Sequence, residues 1–208
     1  MCISMALSMA IVPHRLSSYS EPYSSGSNFS DINSIIQNNG LEDELKKIEE
    51  ERKVGVKIKG RIAEAMPRSN LYLEDIFNVC KSGGMITPYH LAAVINAESN
   101  WNPKAKSKKN AMGLGQLMPY TAKELGVTNP MDPNQNIIGT YKYLDSLMGK
   151  YDGNFTYALA AYNAGSSTVD KWISERNWKG EMEKIPYKET RKYISMTVSA
   201  LNELNGLQ

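Results

Sequence analysis

Glu98 closes an apolar run, His90-Leu91-Ala92-Ala93-Val94-Ile95-Asn96-Ala97-Glu98, and Ser99-Asn100-Trp101 follows at once. Leu91, Val94, Ile95 and Glu98 stand at i, i+3, i+4 and i+7, which is one face of a helix. A carboxyl in register with three aliphatics points toward apolar surroundings, where its ionised form is disfavoured. A glutamic acid that stays protonated near neutrality can act as a general acid. Taken alone, the same spacing also describes a solvated glutamate at a frayed helix end. The residues downstream have to decide between the two.

The elements that would position this carboxyl are helical. Thr87-Pro88 is a helix start, a capping hydroxyl followed by proline at the first helical position. Asp132-Pro133 repeats the device ahead of Ile137, Ile138, Tyr141, Leu144, Met148 and Tyr151. Phe155 to Tyr162 reads as a buried helix that stops at Asn163-Ala164-Gly165. Tyr193, Ile194, Val198, Leu201 and Leu204 line a last helix from about Tyr187. No alternating run is long enough for a substantial sheet, so the fold class is mainly α. Upstream, residues 41–53 carry Leu41, Leu45 and Ile48 on one side and charges elsewhere, a charged amphipathic helix. Gly55 and Gly60 are expected to end that pattern. The organisation read from the chain is a leader-like segment over 1–16, a Ser/Asn-rich linker over 17–40, a charged helical extension over 41–69 and a compact domain over 70–208.

Composition narrows the function classes. Of 208 residues 41% are hydrophobic and 22% charged, the balance of a globular chain with a real core. A net charge of +2 argues against a dedicated nucleic-acid binder, which shows a stronger basic footprint. Ile3 to Val12 is too short to span a bilayer, which takes about 20 apolar residues. It is similar to the apolar part of an export signal, with Ser8-Met9-Ala10 as a small-x-small site, but no basic residue precedes it. Both readings of that segment stay open. Cys2 and Cys80 form no spacing pattern, and His14 and His90 are too few for a metal site, so neither metal nor cofactor is expected.

Four segments carry the chemistry together. The first is Glu98-Ser99 with Trp101-Asn102-Pro103 and, nine residues past the glutamate, Ser107. The second is Gly113-Leu114-Gly115-Gln116-Leu117-Met118-Pro119 with Thr121-Ala122. The third is Ala161-Tyr162-Asn163-Ala164-Gly165. The fourth runs Ile185-Pro186-Tyr187-Lys188-Glu189-Thr190-Arg191-Lys192-Tyr193-Ile194. In this order and with these gaps they resemble the soluble lytic transglycosylases, over roughly residues 70–208. One departure stands out: Gly115 occupies a place where the second motif usually has methionine, which removes one apolar contact to a sugar.

The resemblance implies a goose-lysozyme-like helical domain that cuts peptidoglycan glycan strands. It implies Glu98 as the single acid and base, with Tyr193 holding it by hydrogen bonding. Ser107, Gln116 and Asn163 would orient acetamido and hydroxyl groups, beside Met118 and Tyr162. Their chemistry suits that substrate: amides and hydroxyls donate and accept, a thioether follows an irregular sugar face. Each also has a plainer use. Gln116 could fix its loop, Met118, Tyr162 and Tyr193 could fill the core, and Asn163 could stop a helix. Trp101 is expected to pack beneath the loop after Glu98, and Glu189 to support the fold or the cleft rim. The implied setting is the periplasm or cell envelope. Secretion or conjugation machinery, general wall turnover and phages all use such a cut, and a goose-type hydrolase or a silent glycan-binding component would share the fold.

Overall fold

The computed structural model describes residues 41–206. The leader-like and linker segments, with Cys2 and His14, lie outside the described residues. The chain divides into two units, Met1–Glu51 and Arg52–Gln208. Of the first, only the helical residues from 41 onward are described.

Eight α-helices follow one another among the described residues: α1 (Leu41–Ala65), α2 (Leu73–Cys80), α3 (Pro88–Ser99), α4 (Pro119–Glu124), α5 (Pro133–Lys150), α6 (Phe155–Ala164), α7 (Ser166–Arg176) and α8 (Lys188–Asn205). Short 3-10 turns occupy Pro67–Leu71 and Met182–Lys184. The mainly α reading holds, and the described β structure is two isolated bridges, Lys106 with Met112 and Met112 with Leu117.

The glycine break expected in α1 does not occur, because the helix runs through both Gly55 and Gly60. Each glycine costs about 1 kcal/mol in a helix interior. Tertiary contact offsets that cost: Ile62 is fully buried and Ile58 packs against the core. Three helices, α2, α4 and α7, were not evident in the apolar pattern. Helices α2 and α4 are short, and α7 begins directly after the Gly165 stop of α6.

The two cap readings hold. At α3, the Thr87 hydroxyl accepts the His90 N–H at 3.3 Å while His90 Nδ1 accepts the Thr87 N–H at 3.2 Å. Burial lowers the His90 pKa and keeps the ring neutral, as an accepting Nδ1 requires. At α5, Asp132 accepts the Gln135 N–H at 2.8 Å. Helix α3 then runs through the core with Leu91, Ala92, Ala93, Val94 and Ile95 all fully buried. Helix α8 packs along it, and α6 packs against α5, α7 and α8. A glutamate on the last turn of α3 therefore emerges from the apolar interior, with α8 alongside. Cys80 is half-buried, and burial with the Asp145 charge pushes its thiol up to about 12, so it is no nucleophile.

Candidate active site

The backbone turns sharply just past Glu98. Asn100 and Trp101 both adopt positive φ, 48° and 65°, which is unfavourable for residues with a Cβ. Side chains hold the turn in place: Trp101 Nε1 donates to Asn96 Oδ1 at 3.0 Å, and its ring stacks on Tyr72 with centroids 6.2 Å apart. Trp101 is buried, so it supports the loop, as its position after the helix suggested.

Glu98 is half-buried in the last turn of α3, next to the fully buried stretch of that helix. Burial raises its pKa to about 7; the Tyr193 hydroxyl pulls it down and the negative charge of Glu189 pushes it up. The Tyr193 hydroxyl is buried with no partner at close hydrogen-bond geometry, and the carboxyl it faces is that of Glu98. Burial and the Glu98 charge likewise raise the pKa of Tyr162, so it remains a neutral phenol.

The four motifs close a circuit around this carboxyl. Tyr193 connects the fourth motif to Glu98 in the first. Thr190, buried one turn earlier on α8, donates to Asn163 Oδ1 of the third motif at 2.8 Å. Tyr162, beside Asn163, donates to the Gly115 carbonyl of the second motif at 2.6 Å. Gln116 then donates from Nε2 to the carbonyls of Ala105 and Gly113, at 3.1 and 2.9 Å, returning to the loop that begins at Trp101. Arg191 donates to the Ile185 carbonyl and ties down the entry to α8.

The circuit sorts the residues read from sequence. Glu98, Tyr162 and Tyr193 come together in mutual electrostatic contact. Gln116 spends both amide protons on the loop backbone, the plainer use foreseen for it, and its carbonyl oxygen is the atom left for a ligand. Ser107 accepts the N–H groups of Lys109 and Ala111, at 3.2 and 3.0 Å, and keeps its own proton to donate. Asn163 accepts from Thr190 and retains its amide donors. Met118 is 43% exposed at the N-terminus of α4, open to contact from outside.

Sequence reasoning missed Asn136. It sits fully buried in α5, donating to the carbonyls of Met112 and Pro130 at 3.0 and 2.8 Å and accepting the Gly115 N–H at 2.7 Å. One side chain thus shapes the glycine-rich loop. Its only sequence signal was an amide inside an apolar helical stripe. The missing methionine at position 115 also finds a cause here, since a Cβ on Gly115 would overlap the Thr140 side chain of α5. Gly113 is fixed by positive φ, 79°, and by Pro130 and Asn136 filling the space a Cβ would need. Among the described residues no three His, Cys, Asp or Glu side chains gather as a metal site would require.

The fold has known relatives. Residues 75–185 match the family model described as the transglycosylase SLT domain. A soluble lytic murein transglycosylase of Escherichia coli is 36% identical over 142 residues, covering 61% of this chain and 22% of its own. The crystal structure of the 70 kDa soluble lytic transglycosylase of Escherichia coli superimposes with a TM-score of 0.59 at 29% identity, over 65% of this chain and 24% of that one. An inactive glutamate-to-glutamine mutant of the lytic transglycosylase Slt of Pseudomonas aeruginosa gives 0.55 at 26% identity, over 64% and 24%. The chain spans about a quarter of the length of these relatives.

Proposed function

Because the chain belongs to the transglycosylase SLT domain family, we propose that it cuts the β-1,4 bond between N-acetylmuramic acid and N-acetylglucosamine in peptidoglycan, closing a 1,6-anhydro ring. The observation that carries this reading is a half-buried glutamate with a pKa of about 7, flanked by two neutral tyrosines. An acid poised near neutrality can donate a proton in one step and recover one in the next.

Glycosidases ordinarily divide this work between two carboxyl groups. Here Glu98 does both. Its carboxylic acid protonates the bridging oxygen as the muramoyl C1–O bond breaks, and the acetamido carbonyl oxygen of the same sugar stabilises the cationic C1. The Glu98 carboxylate then takes the proton of the C6 hydroxyl as that oxygen bonds to C1. The proton count closes on Glu98 and no water is consumed. Tyr193 stabilises the transient carboxylate, and Glu189 opposes it, keeping the acid protonated before the first step. Glu189 is exposed at the first turn of α8, one helical turn from Tyr193 on the same face, so it acts on Glu98 through its charge from the rim. The free proton of Ser107, the amide donors of Asn163 and the carbonyl oxygen of Gln116 orient acetamido and hydroxyl groups, with Met118 against an apolar sugar face.

The hydrophobic core takes in Ile62 and Met66, which fall within the charged extension read over 41–69. Its substrate places its work in the cell envelope, where wall opening for a secretion or conjugation apparatus is one use and general wall turnover another. Among the described residues no helix is long and apolar enough to cross a membrane.

Mass spectrometry of muropeptides released by the purified protein, beside Glu98→Gln, tests the reading. Products ending in 1,6-anhydro-muramic acid, absent with the mutant, are expected. Reducing-end products heavier by one water would make it a goose-type hydrolase instead, and release by both proteins would remove Glu98 from catalysis.

A further inference from the structure

The loop between Glu98 and α4 carries a charge pattern that cutting a neutral sugar chain does not require. Lys104, Lys106, Lys108 and Lys109 fall within six residues, all exposed. No acidic residue occurs between Ser99 and Pro119. None of the four makes an ion pair with the described residues, in contrast to Lys59 with Glu74, Lys150 with Asp170 and Lys184 with Glu181. Four charges here exceed the +2 of the whole chain, so the rest of the protein is net acidic.

The backbone beneath these lysines is tightly held. Ser107 N–H donates to the Ala111 carbonyl at 2.9 Å, and Asn110 N–H to the Ser107 carbonyl at 3.0 Å, closing a turn with Lys108 and Lys109 at its tip. Ser107 Oγ accepts two further N–H groups inside the turn. Asn102 Oδ1 accepts the Lys104 N–H at 3.0 Å, and Lys106 bridges to Met112. The Ala105 carbonyl receives both Gly113 N–H and Gln116 Nε2. Four like charges on a constrained backbone sum to a local positive potential that favours an approaching anion. The Ala105 carbonyl ties this turn to Gln116, and the adjoining Gly115 carbonyl receives Tyr162, so the lysines stand on the loop that borders the candidate site.

We propose that the Lys104–Lys109 turn binds the carboxylates of the peptide stems carried by the muramic acid sugars, so that the protein selects strands with acidic stems over denuded or amidated ones. This rests on the glycan-strand reading above. Muramic acid bears a lactyl group to which a short peptide with free carboxylates is attached, which puts negative charge beside the chain at each repeat. Exposed lysines on a fixed turn supply complementary charge that screens with salt.

The test uses the full chain with Glu98→Gln, which holds strands without cutting them, sedimented with wall material. Native walls are compared with walls whose stem carboxylates are amidated, and with walls stripped of other anionic polymers. Retention on native walls should exceed that on amidated walls about ten-fold at low salt, the sum of several individually weak ion pairs. Replacing all four lysines with glutamine should bring the ratio to about one, and replacing them with arginine should restore it. A ratio of one in the parent, or a preference that survives in the glutamine variant, overturns the proposal. So does retention lost on stripping the other polymers and indifferent to amidation, which would make polymer phosphate the partner. Should the protein without the Glu98 change release no fragments while the stem preference holds, the cleavage reading fails and the charge reading stands.

Discussion

Two walls meet at Glu98, and they are held by opposite means. The helical wall, α3 with α6 and α8, is apolar: five consecutive residues of α3 are fully buried, and of the two tyrosines that reach the site Tyr193 is buried and Tyr162 half-buried. The loop wall, from Trp101 to Met118, is held by hydrogen bonds and by the buried amide of Asn136. Apolar burial raises the pKa of an acid, and hydrogen-bonded backbone presents donors and acceptors at fixed places. A carboxyl needs the first to stay protonated, and an acetamido sugar needs the second to be oriented. On the proposed function, the difference between the walls is a division of labour between proton chemistry and positioning.

Breaking the helical wall at its centre should have the largest effect. Glu98→Gln keeps shape and removes the transferable proton, and a loss of about 10²–10⁴-fold in turnover is expected from general acid–base catalysis. Near-normal turnover would show that the acid lies elsewhere. The loop wall breaks at Asn136. Asn136→Ala strands the Gly115 N–H and two carbonyls, so a stability loss of about 3 kcal/mol is expected. Denaturant unfolding measures it, and a change under about 1 kcal/mol would mean the loop does not depend on this amide.

Finer changes sharpen the contrast. Tyr193→Phe removes the hydroxyl that stabilises the Glu98 carboxylate, so turnover should drop about ten-fold with wall binding retained; an unaltered rate would remove Tyr193 from the site. The pH profile follows from the protonation state. With a pKa of about 7, Glu98 is the acid below that pH and loses its proton above, so turnover should fall through about pH 7. Glu189→Gln removes a neighbouring negative charge, lowers that pKa and should move the falling limb to more acidic pH. A limb that stays in place would show that Glu189 does not act on Glu98.

Stability registers the same shift with a sign that can be worked out. In the unfolded chain Glu98 ionises near 4.5, and in the folded protein near 7. Between those values the folded state binds the extra proton, so its stability declines as pH rises across that window. Glu98→Gln abolishes the decline and should be more stable than the parent at pH 8, by an amount on the order of 2 kcal/mol given partial exposure. Equal thermal stability of the two proteins at pH 8 would show that the carboxyl is fully solvated.

Legibility in the sequence followed from how local each determinant is. The helix starts at Thr87-Pro88 and Asp132-Pro133 were readable because a cap acts within one turn of its own residue. The register of Glu98 with Leu91, Val94 and Ile95 was readable for the same reason. Gly55 and Gly60 misled, because their helix is held by distant burial of Ile58 and Ile62. Asn136 stayed hidden, since its partners Met112, Gly115 and Pro130 come from other parts of the chain. Gln116 was readable as a candidate for the site, but only the folded loop shows that its amide protons are already spent.

By itself the amino-acid sequence determined a helical domain, the caps that begin its helices and a glutamate on an apolar helix face. Those are properties of neighbouring residues, and the backbone expresses them wherever it folds. Only the tertiary structure decided that Tyr193 and Glu189 face that glutamate, that Tyr162 holds Gly115, and that the Thr140 side chain leaves no room for a side chain at Gly115. A pKa near 7 arises from burial and from charges brought together across helices, and no stretch of sequence contains that distance.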